Sequence, residues 1–479
     1  MENRLYINGE WRDAAERRQF PVVNPATGQV IAHVADATAD DAQAAVEAAV
    51  RAFRSWSKET ARTRSDLLYK WYHLIAAHAD ELADLITTEQ GKPLREAKGE
   101  VLYGADFVLW YAEEAKRVYG DLIPASSPTK RLQVLHQPVG PVVAITPWNF
   151  PAAMITRKIA PALAAGCTVI VKPSEETPLT AIRLVELAAE AGFPKGVLNL
   201  VTSSDPRQVG EVLLGSPLVR KITFTGSTEV GKLLMRQAAD SVKRVSLELG
   251  GHAPFLVFAD ADLDKAVDGV IASKFRNAGQ TCVCANRILV EESILAEFTE
   301  KFRAKVERMK VGQGHQEGVE IGPLINQAAV EKVERHIQDA LQKGARLVCG
   351  GRRLQGSGYE NGHFFEPTIL AGVTDDMLIS REETFGPVAP IYSFRTEEEA
   401  VELANHPDYG LAAYMFTSDL GRTVRVSENL EFGIVGVNDP LPAVAQAPFG
   451  GYKQSGLGRE GGKYGLEEFL ETKYVSIQI

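Results

Sequence analysis

Cysteine is scarce in this chain of 479 residues: four occur, at positions 167, 282, 284 and 349. They are too few and too scattered for a disulfide framework, so a reducing, cytoplasmic setting is expected. The opening Met-Glu-Asn-Arg-Leu-Tyr-Ile-Asn-Gly-Glu carries no apolar core of a secretion signal, which points the same way. Long apolar runs are missing as well. Those present, such as Pro141 to Pro147, have the length of a strand and fall far short of a bilayer span, so no membrane role is expected. No long basic run occurs, and the net charge of −10 with both signs mixed argues against a nucleic-acid partner held by electrostatics. Internal repeats and low-complexity linkers are absent, and no metal is called for. What is abundant is core: 45% of the residues are hydrophobic, enough for two or three packed domains.

The first forty residues alternate short strand signals with turns, as in Leu5-Tyr6-Ile7 before Asn8-Gly9. From Asp40 to about Tyr119 apolar residues recur at three and four spacing, through Val46, Ala49, Val50 and Phe53 and again through Leu67, Leu68, Trp71 and Leu74, which predicts helices covering one side of a sheet. Residues 121–137, with Ser126-Ser127-Pro128-Thr129-Lys130 at their centre, read as a projecting strand pair. From Val139 to Leu249 apolar strands alternate with helical segments, the rhythm of a parallel sheet covered on both faces. A second βα series runs from Gly250 to about Pro440, with Glu382 to Pro387 as a strand-bounded loop, and the chain ends in an apolar strand, Tyr474-Val475-Ser476-Ile477, suited to edge pairing with another subunit. The expected fold is therefore α/β. It has a dinucleotide-binding parallel-sheet domain (1–120 and 140–249), an α/β catalytic domain (250–440) and an oligomerisation arm with the C-terminal strand (121–139 and 455–479).

Two of the four cysteines fall in Phe275-Arg276-Asn277-Ala278-Gly279-Gln280-Thr281-Cys282-Val283-Cys284-Ala285-Asn286-Arg287. Small and polar neighbours end a helix there and put Cys282 on a loop, where a thiol can meet a substrate. A cysteine attacks as the thiolate, which needs a positive field or a base close by. Glu248, in Leu247-Glu248-Leu249-Gly250-Gly251, is a carboxylate between apolar residues at a strand end, positioned as a general base whose pKa burial would raise. The glycine loop Phe224-Thr225-Gly226-Ser227-Thr228-Glu229-Val230-Gly231 opens a helix. Its spacing is not the G-x-G-x-x-G fingerprint, but it can present backbone N–H groups to a phosphate.

Together with Pro147-Trp148-Asn149-Phe150, Lys172-Pro173-Ser174-Glu175, Glu383-Thr384-Phe385-Gly386-Pro387 and Pro448-Phe449-Gly450-Gly451, these stretches resemble the aldehyde dehydrogenase superfamily over essentially the whole chain. Within it, Phe275 to Arg287 and Gly456-Leu457-Gly458-Arg459-Glu460-Gly461 look most like the succinate-semialdehyde dehydrogenases. The resemblance implies that Cys282 attacks an aldehyde carbonyl, that the side-chain amide of Asn149 and the backbone N–H of Cys282 hold the oxyanion, and that Glu248 activates the water that releases the acid. It also implies a nicotinamide coenzyme along Ile145, Thr146, Pro147 and Trp148, with Lys172, Ser174, Glu175, Gly210, Phe224, Thr225, Gly226, Ser227, Gly231, Leu249, Gly250, Glu383 and Phe385 around it. A carboxylate such as Glu175 beside the adenosine ribose accepts from a 2′-hydroxyl and repels a 2′-phosphate, so NAD is favoured over NADP, which stays possible beside Lys172.

Arg157 and Arg276 match the two arginines that clasp the distal carboxylate of the substrate in that branch, with Phe449 beside them. The branch's serine has no counterpart in Asn438 to Ala447, so glutarate semialdehyde or a broader set of aldehydes stands as the alternative. Cys284 would be the resolving thiol of a reversible disulfide with Cys282. A CoA-acylating enzyme would not need Glu248, and a cysteine hydrolase would need no coenzyme. A non-enzymatic ligand-binding relative could dispense with Cys282 or Glu248, and both are present. A homodimer or homotetramer is expected.

Overall fold

The computed structural model describes residues 2–406 and 408–479. Two sheets organise it. The first has eight strands in the order Glu10–Arg12, Leu5–Ile7, Leu198–Leu200, Val169–Lys172, Val142–Ile145, Lys221–Thr225, Arg244–Glu248, Gly456–Leu457. The five strands from Leu198–Leu200 to Arg244–Glu248 run parallel, while Leu5–Ile7, Glu10–Arg12 and Gly456–Leu457 pair antiparallel. The inner strands read as near-continuous apolar runs because helices cover both faces. The helix Ala153–Ala165 is buried along its whole length, and Gly166, in the left-handed region at φ 96°, turns the chain back into the Val169–Lys172 strand.

The second sheet has seven strands, ordered Arg346–Cys349, Thr368–Ala371, Val388–Phe394, Ala285–Glu291, Ala253–Val257, Ala412–Phe416, Ile434–Val437, and only the first of these pairs antiparallel. The helices predicted between 40 and 119 are Ala39–Trp56, Ala61–Ala77, Ala79–Gln90 and Leu94–Glu114. The first is fixed by a capping box in which Thr38 and Asp41 satisfy each other's backbone N–H.

A three-stranded antiparallel sheet projects from this body. Leu470–Gln478 pairs along its full length with Lys130–Pro138, which pairs in turn with Asp121–Ile123. The terminal strand pairs through one side with its own chain's arm, from Leu470 opposite Pro138 to Gln478 opposite Lys130, and forms an edge of that sheet. Only that strand of the 455–479 segment lies in the arm: Gly456–Leu457 edges the first sheet and Gly462–Glu467 is a helix. The Glu382–Pro387 loop is bounded by the helical turn Leu378–Arg381 and only on its far side by a strand. Among the described residues, no helix is long and apolar enough to cross a membrane.

Candidate active site

In a parallel sheet the C-terminal strand ends open onto one edge, and ligands bind there. Thr146 to Phe150 follow the Val142–Ile145 strand, Lys172 ends the next strand on one side, Thr225 ends the one on the other, and Glu248 ends the strand beyond it. The second sheet faces this edge with the Cys282 loop.

That loop has unusual backbone. The helix Leu263–Lys274 stops, and Asn277, Ala278 and Gly279 follow in left-handed conformation at φ 51°, 55° and 74°. For the alanine this conformation costs about 1–2 kcal/mol and persists only where the surroundings impose it. The surroundings do so. Glu96 accepts from the Asn277 N–H at 2.8 Å, Gln280 Nε2 donates to the Asn277 carbonyl at 3.1 Å, and Gln280 Oε1 accepts from Ile325 N at 2.9 Å. Asn149 is tied to the same turn, donating through Nδ2 to the Gln280 carbonyl at 3.0 Å, while its own carbonyl accepts from Asn277 Nδ2 at 3.0 Å. Gly251 lets the two segments close up, since a Cβ there would sit 2.2 Å from the Cys282 carbonyl oxygen.

Cys282 stands at the junction of two cavities. One, of about 370 Å³, is walled by Trp148, Asn149, Gly226, Leu249, Glu383 and Phe385. Trp148 and Phe385 meet edge to face at 5.6 Å, and Glu383 accepts from Gly251 N at 3.0 Å. Burial pushes the Glu383 carboxyl up to about 7. The hydroxyl of Thr225 is buried here without a partner, as is that of Thr146 on the same sheet edge outside the cavity wall. Orphaned donors at strand ends beside a helix N-terminus and an aromatic pair fit a dinucleotide.

The second cavity, of about 300 Å³, runs the other way from Cys282 between Tyr103, Phe150, Arg157, Arg276, Leu441 and Phe449. Arg157 is 2% exposed, stacks over Phe449 at 4.0 Å and meets Glu460 at 2.6 Å. Arg276 leaves Nε buried and unpartnered.

Electrostatics distinguish the two reacting groups. Burial pushes the Cys282 thiol up to about 12, against the pull of Arg157 and Arg276. The resting sulfur is therefore a thiol, and a proton must leave it for attack. Glu248 is raised well above the carboxylate range by burial and then by the charge of Glu460. One of its oxygens lies against Gly450, where a Cβ would come within 3.0 Å, and the other is buried without a partner. Glu460 itself, despite burial, is held below the usual range by Lys158 and Arg157.

Of the residues singled out from sequence, Pro147, Trp148, Asn149, Thr225, Gly226, Ser227, Leu249, Gly250, Glu383 and Phe385 line the first cavity, and Arg157, Arg276 and Phe449 the second. Thr146, Lys172, Ser174 and Glu175 sit on the same sheet edge, outside that cavity wall, with Lys172 Nζ 3.2 Å from Glu175. Ile145 and Phe224 are packing residues of the sheet, and Phe224 stacks under Gly226. Gly210 lies inside the helix Pro206–Gly215 and lines neither cavity. Gly231 is within the helix Thr228–Ala239, where a Cβ would meet Leu249 at 2.4 Å, so its smallness serves helix packing.

Cys284 is buried, with Sγ 3.4 Å from both the Gly279 carbonyl and Lys274 Nζ, and both it and Cys282 are free thiols. Lys92, Glu96, Glu100, Lys158, Asn277, Gln280 and Glu460 were not singled out. Of these, Asn277, Gln280 and Glu460 fall inside motifs quoted above without a role of their own, and Lys158 follows Arg157.

A family model described as "Aldehyde dehydrogenase family" matches residues 11–475. The chain is 55% identical to an NADP(+) succinate-semialdehyde dehydrogenase of Escherichia coli (strain K12), over 98% of this chain and 97% of that one. It is 54% identical to a glutarate-semialdehyde dehydrogenase of Pseudomonas putida, over 100% of this chain and 98% of that one. The crystal structure of a succinate-semialdehyde dehydrogenase from Burkholderia pseudomallei, 52% identical, superposes with a TM-score of 0.97 over 100% of this chain and 98% of that one.

Proposed function

Because the chain belongs to the aldehyde dehydrogenase family and is an NAD(P)-dependent enzyme of that class, we propose that its substrate is succinate semialdehyde and that its preferred coenzyme is NAD. The observation that carries the substrate reading is the pairing, in one cavity ending at Cys282, of the Arg157 and Arg276 guanidiniums. Glu460 lies 2.6 Å from Arg157, whose Nε–H is nevertheless buried without an acceptor, and Arg276 keeps a buried Nε–H of the same kind. A carboxylate at the far end of the aldehyde satisfies that donor.

In this reading Cys282 gives its proton to a base and bonds to the carbonyl carbon, while the Asn149 amide and the Cys282 N–H hold the oxyanion. The bound nicotinamide coenzyme supplies the two-electron oxidation. Trp148, Leu249, Glu383 and Phe385 would hold it. Glu248 then takes a proton from water as that water attacks the thioester, and the acid leaves. The deciding test is kcat/KM for succinate semialdehyde against butanal, which has the same carbon count and no carboxylate. A preference of about 100-fold or more is expected, about 2.7 kcal/mol of differential transition-state binding. A ratio near one removes the arginines from substrate recognition.

The wall formed by Pro440, Leu441, Pro442 and Ala443 offers apolar surface and no hydroxyl, which favours glutarate semialdehyde as the second reading. Its extra methylene would gain about 0.8 kcal/mol on burial there.

For the coenzyme, Glu175 is the supporting residue: it is half-buried, sits at the sheet edge and is opposed by Lys172. Glu175→Ala is expected to raise kcat/KM with NADP about fivefold and leave that with NAD within about twofold, a repulsion of about 1 kcal/mol near the surface. Equal changes with both coenzymes would remove Glu175 from the 2′ position. Assembly as a homodimer or homotetramer in the cytoplasm belongs to the same reading, supported by an arm that exposes Leu122 and Tyr474 and by four free cysteines.

A further inference from the structure

Behind the oxyanion side of Cys282 lies a cluster of charges, of which Glu96 and Glu100 also line the second cavity. Lys92 is 1% exposed, and its Nζ donates to Glu100 at 2.5 Å and to the Asn149 carbonyl at 2.7 Å while lying 3.8 Å over the Phe150 ring. Glu100 is 4% exposed and accepts from the backbone N–H of Ala152 at 2.8 Å and of Ala153 at 3.3 Å. The pair therefore grips the segment 149–153 at both ends, by a carbonyl at the first residue and by two N–H groups at the last. One turn before Glu100 on the same helix, Glu96 accepts from Asn277 N in the left-handed turn that leads to Cys282. The first turns of Leu94–Glu114 thus hold both the loop that carries the oxyanion amide and the loop that carries the nucleophile.

A buried ammonium and carboxylate replaced by apolar side chains would often be as stable or more so, so stability alone is a weak reason for such a pair. Its geometry has another use: a side-chain amide stabilises a developing charge only if it is aimed before the charge appears.

We propose that Lys92 and Glu100 are positioning residues for the oxyanion hole: they fix the Asn149 peptide so that the side-chain amide points at the carbonyl oxygen of a substrate bound to Cys282. This rests on the reading of Asn149 and Cys282 given above. Lys92→Met keeps the length and removes the charge. Glu100→Gln keeps the one acceptor oxygen that Ala152 and Ala153 share and replaces the oxygen that holds Lys92.

The test compares both variants with Asn149→Ala in the full-length enzyme. For Lys92→Met, kcat with the aldehyde is expected to fall about 100-fold, the size seen when one oxyanion donor is removed, with KM for NAD within about twofold. The rate of Cys282 alkylation by iodoacetamide should stay within about twofold of wild type, because that displacement develops no oxyanion. Combining Lys92→Met with Asn149→Ala should cost little beyond Asn149→Ala alone, since both remove one interaction.

The proposal fails if the losses multiply, if alkylation slows in step with kcat, or if folded Lys92→Met keeps its kcat. Should Lys92→Met not fold, Glu100→Gln is expected to give the same pattern at about tenfold loss, and its absence there fails the proposal equally. A wild-type enzyme that oxidises no aldehyde would instead overturn the functional reading, which separates the two failures.

Discussion

Glu248→Gln is expected to leave the first half of the reaction intact and to stop the second. Mixed rapidly with aldehyde and NAD, the variant should give a burst of NADH close to one per active site, followed by a steady rate lower by about 10²–10⁴-fold, the range for loss of a positioned general base. The geometry behind this is specific. The carboxyl ends a strand at 3% exposure, and one of its oxygens has no hydrogen-bond partner, so it is free to accept a proton from water.

The pH dependence follows from the same burial. Glu248 must be ionised to act, and burial together with the neighbouring Glu460 charge raises its pKa, so turnover limited by thioester hydrolysis should rise with pH through that raised value and then level off. In Glu248→Gln this ascending limb should disappear. In Glu460→Gln, which removes a negative neighbour and leaves Arg157 and Lys158 less neutralised, it should move to lower pH. A wild-type limb that does not respond to either substitution, or a burst lost along with the steady rate, would take the hydrolytic role away from Glu248.

What could be read in the sequence, and what could not, divides along a physical line. Cys282 and Glu248 stood out because each breaks its local pattern, a thiol among small polar residues and a carboxylate inside an apolar strand, whereas Asn149 was reached only through the resemblance. The parallel sheet was legible because its strands, buried on both faces, are continuous apolar runs.

The charges that complete the site were not legible. Lys92 lies just before the helix Leu94–Glu114 and Glu96 and Glu100 on its first turns, where such residues are usually solvated, and nothing local shows that they are buried. Lys158 and its partner Glu460 lie 302 residues apart, so their pairing exists only in the fold. Gly210 and Gly231, named only through the resemblance, lie inside the helices Pro206–Gly215 and Thr228–Ala239, and at Gly231 a Cβ would meet Leu249. Glycine reports that something comes close, and only the structure says what.

Cys282→Ala should remove aldehyde oxidation to the limit of detection, a loss of about 10⁴-fold or more for a reaction that needs a covalent intermediate. Cys284, two residues on, is not expected to take over. Its sulfur faces the Gly279 carbonyl, the Asn286 side chain and Lys274 Nζ, and it borders neither cavity. Burial raises its pKa, with Lys274 as the main opposing charge. NAD should still bind to Cys282→Ala, because Trp148, Glu383 and Phe385 are untouched, so calorimetry with NAD distinguishes lost chemistry from lost folding. In the wild type, mass spectrometry after brief iodoacetamide treatment should place the label on Cys282. Label on Cys284, or residual turnover of the alanine variant that a second Cys284→Ala substitution removes, would move the nucleophile to Cys284. It would also mean that the left-handed turn from Asn277 to Gly279 opens far enough to bring that sulfur to the cavity.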